Sequence, residues 1–384
     1  MINICNGTYF KKNILILFSV CLIAIIAISS INAVNAAGKT INPNTSGGLK
    51  EAIATAKNGD VIYLENGVYT GENNTCITIN KNITIKGLGA NVILDDKRKN
   101  QIFQINKVKV SLKNLKFKGS DNIKDDDDSG GGLIYIVKGS LTLSSCTFTN
   151  VKSPYRGVVY SESSNLLISS CIFSNNWNKV IEISNSKCRV SKCTFKYNEA
   201  EAIDSWKSNL TGFKSNFTNN SNGAIGSAYG SLTVSSCIFK NNKGEYGAAI
   251  ESETSILTVN SCIFKNNKVT LYGGAIDSMD SSLTVNRCTF TNNQAKCDGG
   301  AIRSYFRTDF NSKIAKCSVS SSTFTNNKAN KQGGAISNSN MPIKVANSKF
   351  KKNISAKVYN AIYSYRGKLT KKNVVISPKD GIKV

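Results

Sequence analysis

Six residues each lie one place after an apolar anchor that returns along much of this chain: Glu182, Asp204, Gly226, Glu251, Asp277 and Arg303. If the anchors stack in space, so do these residues. Glu182 then lies beside Asp204 and Glu251 beside Asp277, while Asp204 and Glu251 stand two strand spacings apart, about 10 Å. Paired carboxylates at such distances suit glycosidic hydrolysis, one as acid and the other as base or nucleophile. Alternatively the acids hold Ca²⁺ and leave Arg303 or a lysine to accept a proton. The plainer expectation is a solvated acidic row paired with lysine. The chain has no His, which removes the commonest general base.

A second set, four residues before the anchor, comprises Tyr155, Trp177, Tyr246 and Tyr272. Exposed rings suit sugars, whose faces are apolar and whose edges are polar; the alternative is rings lying flat over their own turns. An insertion from Tyr305 to Ile314 adds Tyr305, Phe306, Arg307 and Phe310, as a binding loop or a tolerated excursion. The run Asp125, Asp126, Asp127 and Asp128 lacks the alternating spacing of a calcium loop and reads as a solvated acidic loop, a weak candidate for metal. No CxxC pair occurs, so a zinc site is not expected.

These residues need a frame, and a repeat supplies it. LTVNRCTFTNNQAKCDGGAI, Leu283 to Ile302, is one copy of a unit seen again as LTLSSCTFTN from Leu141, LTVSSCIFKNN from Leu232 and LTVNSCIFKNN from Leu257. Ile134 to Phe148, Val159 to Phe173, Ile203 to Phe217, Ile250 to Phe264 and Ile276 to Phe290 are each fourteen residues apart; Ile302 to Phe324 breaks the interval at twenty-two. A unit of this size cannot bury its own apolar face, so copies must stack as a solenoid. Within a copy, apolar residues alternate at period two between Asn and Gly corners. The pattern predicts an all-β, right-handed parallel β-helix of three strands per coil. Phe forms one interior stack in this reading, with Cys or Ser two residues before it. Asn pairs at the next corner tolerate left-handed backbone and bond their copies in the next coil. Ser205, Ser227, Ser252, Ser278, Ser304 and Ser364 are expected to form a self-satisfied hydroxyl ladder. The interval from Phe to the next anchor varies between 8 and 17 residues, which marks the edge where function can be grafted.

Composition agrees. With 384 residues, 40% hydrophobic, 29 Gly and 4 Pro, the chain can fill a core and is too apolar for disorder. Residues 1–36 read as a signal peptide, with Lys11 and Lys12 before an apolar run from Ile14 to Ile28 and a small-residue cleavage site at Val34 to Ala36. Residues 37–75 read as an N-terminal cap with a short amphipathic helix over Leu49 to Ala56, residues 76–376 as the β-helix, and residues 377–384 as a tail. A net charge of +25 suits acidic partners as well as a merely lysine-rich surface. Cysteines in the column before Phe act as small hydrophobes, because neighbours on parallel strands are poorly aimed for disulfides. A bond is conceivable for the off-column Cys188, Cys297 or Cys317.

The opening, GDVIYLENGVYTG and ITINKNITIKGLGANVIL, resembles pectate-lyase-like right-handed β-helix proteins. The GGAI units at Gly273, Gly299 and Gly333, with the FxNN units, are similar to the repeats of polymorphic outer-membrane proteins and methanogen adhesin-like proteins. The resemblance spans roughly residues 40 to 376. It implies an exported surface protein that binds polysaccharide or a cell-surface glycan without catalysis; membrane contact is expected only during export or through an uncleaved signal, and nucleic acid is not expected as a partner. It equally admits a polysaccharide lyase or glycoside hydrolase using the carboxylate column, and a passive envelope component. No cofactor is expected beyond the Ca²⁺ that a lyase reading entails, and the GHG and RIK signatures of polygalacturonase-like enzymes are missing.

Overall fold

The computed structural model describes residues 38–97, 101–119, 132–152, 156–307, 315–356, 360–377 and 380–383. The expected leader, Asp125 to Asp128, Tyr155 and Phe310 lie outside the described residues. Within them the chain winds coil upon coil into three long parallel sheets of 14, 13 and 13 strands, with a fourth sheet of five short strands. The register joins equivalent repeat positions directly: Leu210 to Leu232, Ile203 to Ile225 and Phe217 to Phe239. We call the long sheets by these residues. The small sheet departs from three strands per coil. It runs through Lys243–Tyr246, Lys268–Tyr272, Gln294–Ala295, Lys328–Ala329 and Ile354–Ser355, where the Phe-to-anchor interval lengthens to 11 or 12 residues and the extra backbone pairs with itself.

The first coils are closed by the helix Gly48–Thr55, which buries Leu49, Ala52 and Ile53. Gly47 precedes it at φ +68°, in the left-handed region that glycine enters without steric cost. Lys81 Nζ donates to the carbonyl of Ala56 at 2.8 Å, placing a cation against the helix C-terminus.

Three interior columns set the coil geometry. Ten Phe rings from Phe117 to Phe350 lie face to face, with centroids 4.5 to 5.0 Å apart. An unconstrained pair prefers an offset or edge arrangement; here the strand spacing imposes the stack. Two residues before Phe, thiols and hydroxyls accept from the coil below: Cys171 N–H donates to Cys193 Sγ at 3.4 Å and Cys193 N–H to Ser215 Oγ at 3.1 Å. The cysteines of this column, and the off-column Cys188, Cys297 and Cys317, are free thiols. At the following corner, Asn219 and Asn292 adopt φ near +58° and +57°, and the second Asn of each pair forms a buried amide ladder. Asn242 shows the rung: its N–H and its Nδ2 both donate to Asn267 Oδ1 at 3.1 Å, and Nδ2 also donates to Phe217 O at 3.0 Å.

The serine expectation needs correction. Ser205, Ser227 and Ser278 are buried, but their hydroxyls have no partner among the described residues. Ser252 Oγ instead donates to Ser281 Oγ at 3.3 Å, and Ser364 Oγ to Gly367 O at 2.9 Å. The hydroxyl ladder sits at the next corner, where Ser164 N–H donates to Ser186 Oγ at 3.0 Å and Ser186 N–H to Ser208 Oγ at 2.9 Å. Backbone on a strand is already consumed by the sheet, whereas a corner leaves N–H groups for side chains to satisfy.

Replacing Asn242 by Ala orphans the N–H of Asn220, leaves Asn220 Nδ2 only its bond to Phe195 O, and removes a donor from the carbonyl of Phe217. The expected loss in denaturant unfolding is about 3 kcal/mol or more. Thr325→Ala, on the outward face, should change stability by no more than about 0.5 kcal/mol.

Candidate functional site

The outward face of the Ile sheet gathers the expected acids. Register pairs Glu182 with Asp204, Asp204 with Gly226, Gly226 with Glu251, Glu251 with Asp277, and Asp277 with Arg303. Their environments differ. Asp277 is fully buried and takes two hydrogen bonds from Arg303, from Nε and Nη2, each at 2.6 Å. Burial pushes its carboxyl up, and the guanidinium opposes that shift. Lys179 Nζ meets Asp204 Oδ2 at 2.5 Å; burial, the largest single influence, lowers this amine, but the bond to Asp204 and the charges of Asp204, Glu182 and Glu201 together outweigh it and its pKa is raised. Glu182 accepts from Gly157 N–H at 2.8 Å, with Arg156 at 4.0 Å.

Glu201 joins this group and was missed by reasoning from the anchor-plus-one column alone. Lys179 and Glu201 occupy successive coils two residues before the anchor, so the same alignment read two places earlier exposes them. Gly226 makes the space: a Cβ there would stand 3.0 Å from Glu201 Oε1 and 3.7 Å from Asp204 Oδ1. Burial, reinforced by the charge of Asp204, raises Glu201 to about 7. Burial and then Asp277 raise Glu251 to about 7 as well. Two proton-holding carboxyls thus flank the Gly226 notch.

Of the aromatic set, Tyr246 and Tyr272 do stack, with centroids 6.2 Å apart and planes 19° from parallel. Arg303 lies 4.0 Å from the Tyr272 ring centroid, within 5.8 Å of Tyr246 and within 5.7 Å of Tyr305. Asp277 fixes Arg303, and Arg303 fixes the rings. Trp177 belongs elsewhere, because it directly follows the ladder residue Asn176 whereas Tyr246 comes four residues after Asn242. Trp177 is exposed with Lys152 Nζ 3.8 Å above it, and with Tyr197, Lys118 and Asp95 it lines an open groove of about 770 Å³.

Two insertion residues are engaged within the fold. Phe306 is buried, and Arg307 is tied through its backbone N–H and Nε to Asp280 and through Nη2 to Glu253 at 3.2 Å. Further rings on the Ile face went unread: Tyr135 stacks on Tyr160 at 5.3 Å, and Trp206 meets Tyr229 edge-on at 4.6 Å. Tyr135 and Tyr160 lie in the same column as Glu182, on earlier coils.

The acids do not fit Ca²⁺ as a bridging ligand. Asp204 and Asp277 are already occupied by Lys179 and Arg303, and among the described residues no three acids, cysteines or histidines converge on a metal position. No helix among them is long and apolar enough to cross a membrane.

Continuous registers and outward sites on one sheet define a parallel β-solenoid. The chain belongs to the right-handed β-helix region family, which it matches over residues 44–231 and 183–319. Residues 321–339 match the Chlamydia polymorphic membrane protein repeat. Among solved structures, a mannuronic acid specific polysaccharide family 6 lyase from human gut microbiota is similar at 12% identity and TM-score 0.51, over 87% of this chain and 82% of the lyase. The catalytic domain of a GH87 alpha-1,3-glucanase in complex with nigerose is similar at 12% identity and TM-score 0.51, over 90% and 69%. PfbA, a surface adhesin of Streptococcus pneumoniae, is similar at 12% identity and TM-score 0.47, over 85% and 88%. At this identity the likeness is one of fold. No curated protein sequence matches the chain.

Because Glu201 and Glu251 hold protons in the fold that the unfolded chain gives up above about pH 4.5, stability falls as pH rises from there through about 7. Melting temperature should therefore be lower at pH 8 than at pH 5. Glu201→Gln combined with Glu251→Gln should flatten that difference; an unchanged pH slope counts against the buried-acid assignment.

Proposed function

We propose that the chain is an exported, surface-exposed protein that binds polysaccharide along its Ile face and the adjoining strand ends of the small sheet. The observation that carries this reading is the Tyr246 and Tyr272 pair beside Arg303, itself anchored by buried Asp277. Rings held before a ligand arrives lose little freedom on binding, and ring faces with nearby carboxylates and a guanidinium match the apolar faces and hydroxyl edges of sugars. The pairs Tyr135 with Tyr160 and Trp206 with Tyr229 extend the same face. Secretion rests on the leader read in residues 1–36, and surface placement on the similarity of residues 321–339 to a membrane-protein repeat. Glycan retention in affinity electrophoresis should weaken roughly tenfold for Tyr272→Ala with unchanged folding. Trp177→Ala tests the separate open groove. Unchanged retention in both variants would sink this proposal.

A second reading is hydrolysis of a polysaccharide, favoured by Glu201 holding its proton near neutrality beside Asp204 at the Gly226 notch. That pair has the division of labour that glycosidic cleavage requires. Release of reducing ends from neutral or acidic polysaccharides, abolished by Asp204→Asn, would place this reading first. Absence of release from the whole panel removes it.

A further inference from the structure

On the corner between the Phe sheet and the small fourth sheet, the sequence FKNNK occurs in two successive coils, Phe239 to Lys243 and Phe264 to Lys268. Register places Lys240 beside Lys265 and Lys243 beside Lys268. The second column continues through Gln294 to Lys328. All these side chains are exposed, and none of the lysines is ion-paired among the described residues. Like charges directly opposite on neighbouring strands destabilise a sheet. Here two such pairs lie within two coils, with no carboxylate partner.

Between the lysine columns runs a second amide ladder at the surface. Asn266 Nδ2 donates to Asn241 Oδ1 at 3.1 Å and Asn292 Nδ2 to Asn266 Oδ1 at 3.2 Å. The surface is concave: a groove of about 400 Å³ is lined by Asn266, Lys268, Asn292, Gln294 and Asn326. Another of about 190 Å³ shares Lys268 and Gln294 and adds Lys296 and Lys328. The two grooves thus meet at Lys268 and Gln294, and Lys240, Lys243 and Lys265 stand beside them on the same corner, outside their linings. Cations at strand spacing, with amides between them, repeat the order of a chain that alternates anionic and hydroxyl groups. The grooves' linings contain no aromatic ring on which a nucleic-acid base would stack.

We propose that this lysine corner with its two grooves is a second glycan site, at the opposite ends of the strands that carry Tyr246 and Tyr272, which takes a linear acidic polysaccharide bearing carboxylate or sulfate on successive sugars. Lys240, Lys243, Lys265 and Lys268 pair with its anions, and the Asn241, Asn266 and Asn292 ladder bonds its hydroxyls. Bound anions also relieve the repulsion between the stacked lysines.

Fluorescence anisotropy of the purified chain with labelled oligogalacturonate, sulfated dextran oligomer, maltooligosaccharide and oligothymidylate tests this. At least one acidic sugar oligomer should bind, the tighter one naming the anion, while the neutral oligomer should not. Lys265→Ala with Lys268→Ala should weaken that binding roughly tenfold and make it less salt-sensitive, with the melting temperature at low salt unchanged or higher. Lys109→Ala with Lys113→Ala, which removes the same charge from exposed positions on the Leu sheet, should change it less than about twofold, and Tyr272→Ala should leave it intact. Equal losses in the two double variants, equal or tighter binding of oligothymidylate, or no binding of either acidic sugar would overturn the proposal.

Discussion

The spacing between hydrogen-bonded strands governs this molecule. Once every coil is held one strand spacing above the last, each side chain has its own counterpart as nearest neighbour, and the question for any residue type is whether it can tolerate itself. Phe can, because ring faces stack at 4.5 to 5.0 Å. Asn can, because it is donor and acceptor together, and one amide meets the next at 2.9 to 3.1 Å. Cys and Ser can, because each accepts a backbone N–H from the adjoining coil. An isolated ion on such a column cannot, and the surface therefore records where charge has been arranged deliberately.

That test separates the faces. Acids on the Ile face are broken up by the Gly226 gap and closed by Arg303, so the column alternates neutral, paired and proton-holding positions instead of repeating one charge. Lysines on the Phe corner are left opposed, with no ion pair among the described residues. One face thus resolves its electrostatics internally and presents rings and carboxyls; the other leaves them unresolved and open to an anion from outside.

Most of the fold was legible because period two, the fourteen-residue interval and self-compatible residue types all constrain the same register. The Phe stack, the Asn corners and the stacking order Glu182, Asp204, Gly226, Glu251, Asp277, Arg303 follow from that interval alone. What the sequence did not disclose depends on where backbone groups go unpaired and on loop length. The hydroxyl ladder moved to the corner serines because only there are N–H groups free. Trp177 separated from Tyr246 because counting back from the anchor ignores residues added in the longer loops, and Phe306 turned inward although its neighbours read as an exposed excursion. Glu201 escaped notice because its role comes from a missing side chain at Gly226.

The interior amide ladder has a direction. From Asn176 to Asn353 every Oδ1 accepts the backbone N–H of the coil before it, and every Nδ2 sends one hydrogen onward to the following coil and the other back to a Phe carbonyl. The rungs are aligned side-chain dipoles whose positive poles all face the later coils, and no intervening rung can cancel them. At the far end Asn353 Nδ2 and N–H both donate to Asp380 Oδ2, a buried carboxylate. Asp380 acts on this column as an acidic residue acts at the first turn of an α-helix, placing negative charge where parallel dipoles end in donors. A carboxylate can only accept, so Asp380 ends the amide column and cannot pass it on, although the sheet itself continues past it in the pairing of Ile362 with Ile382.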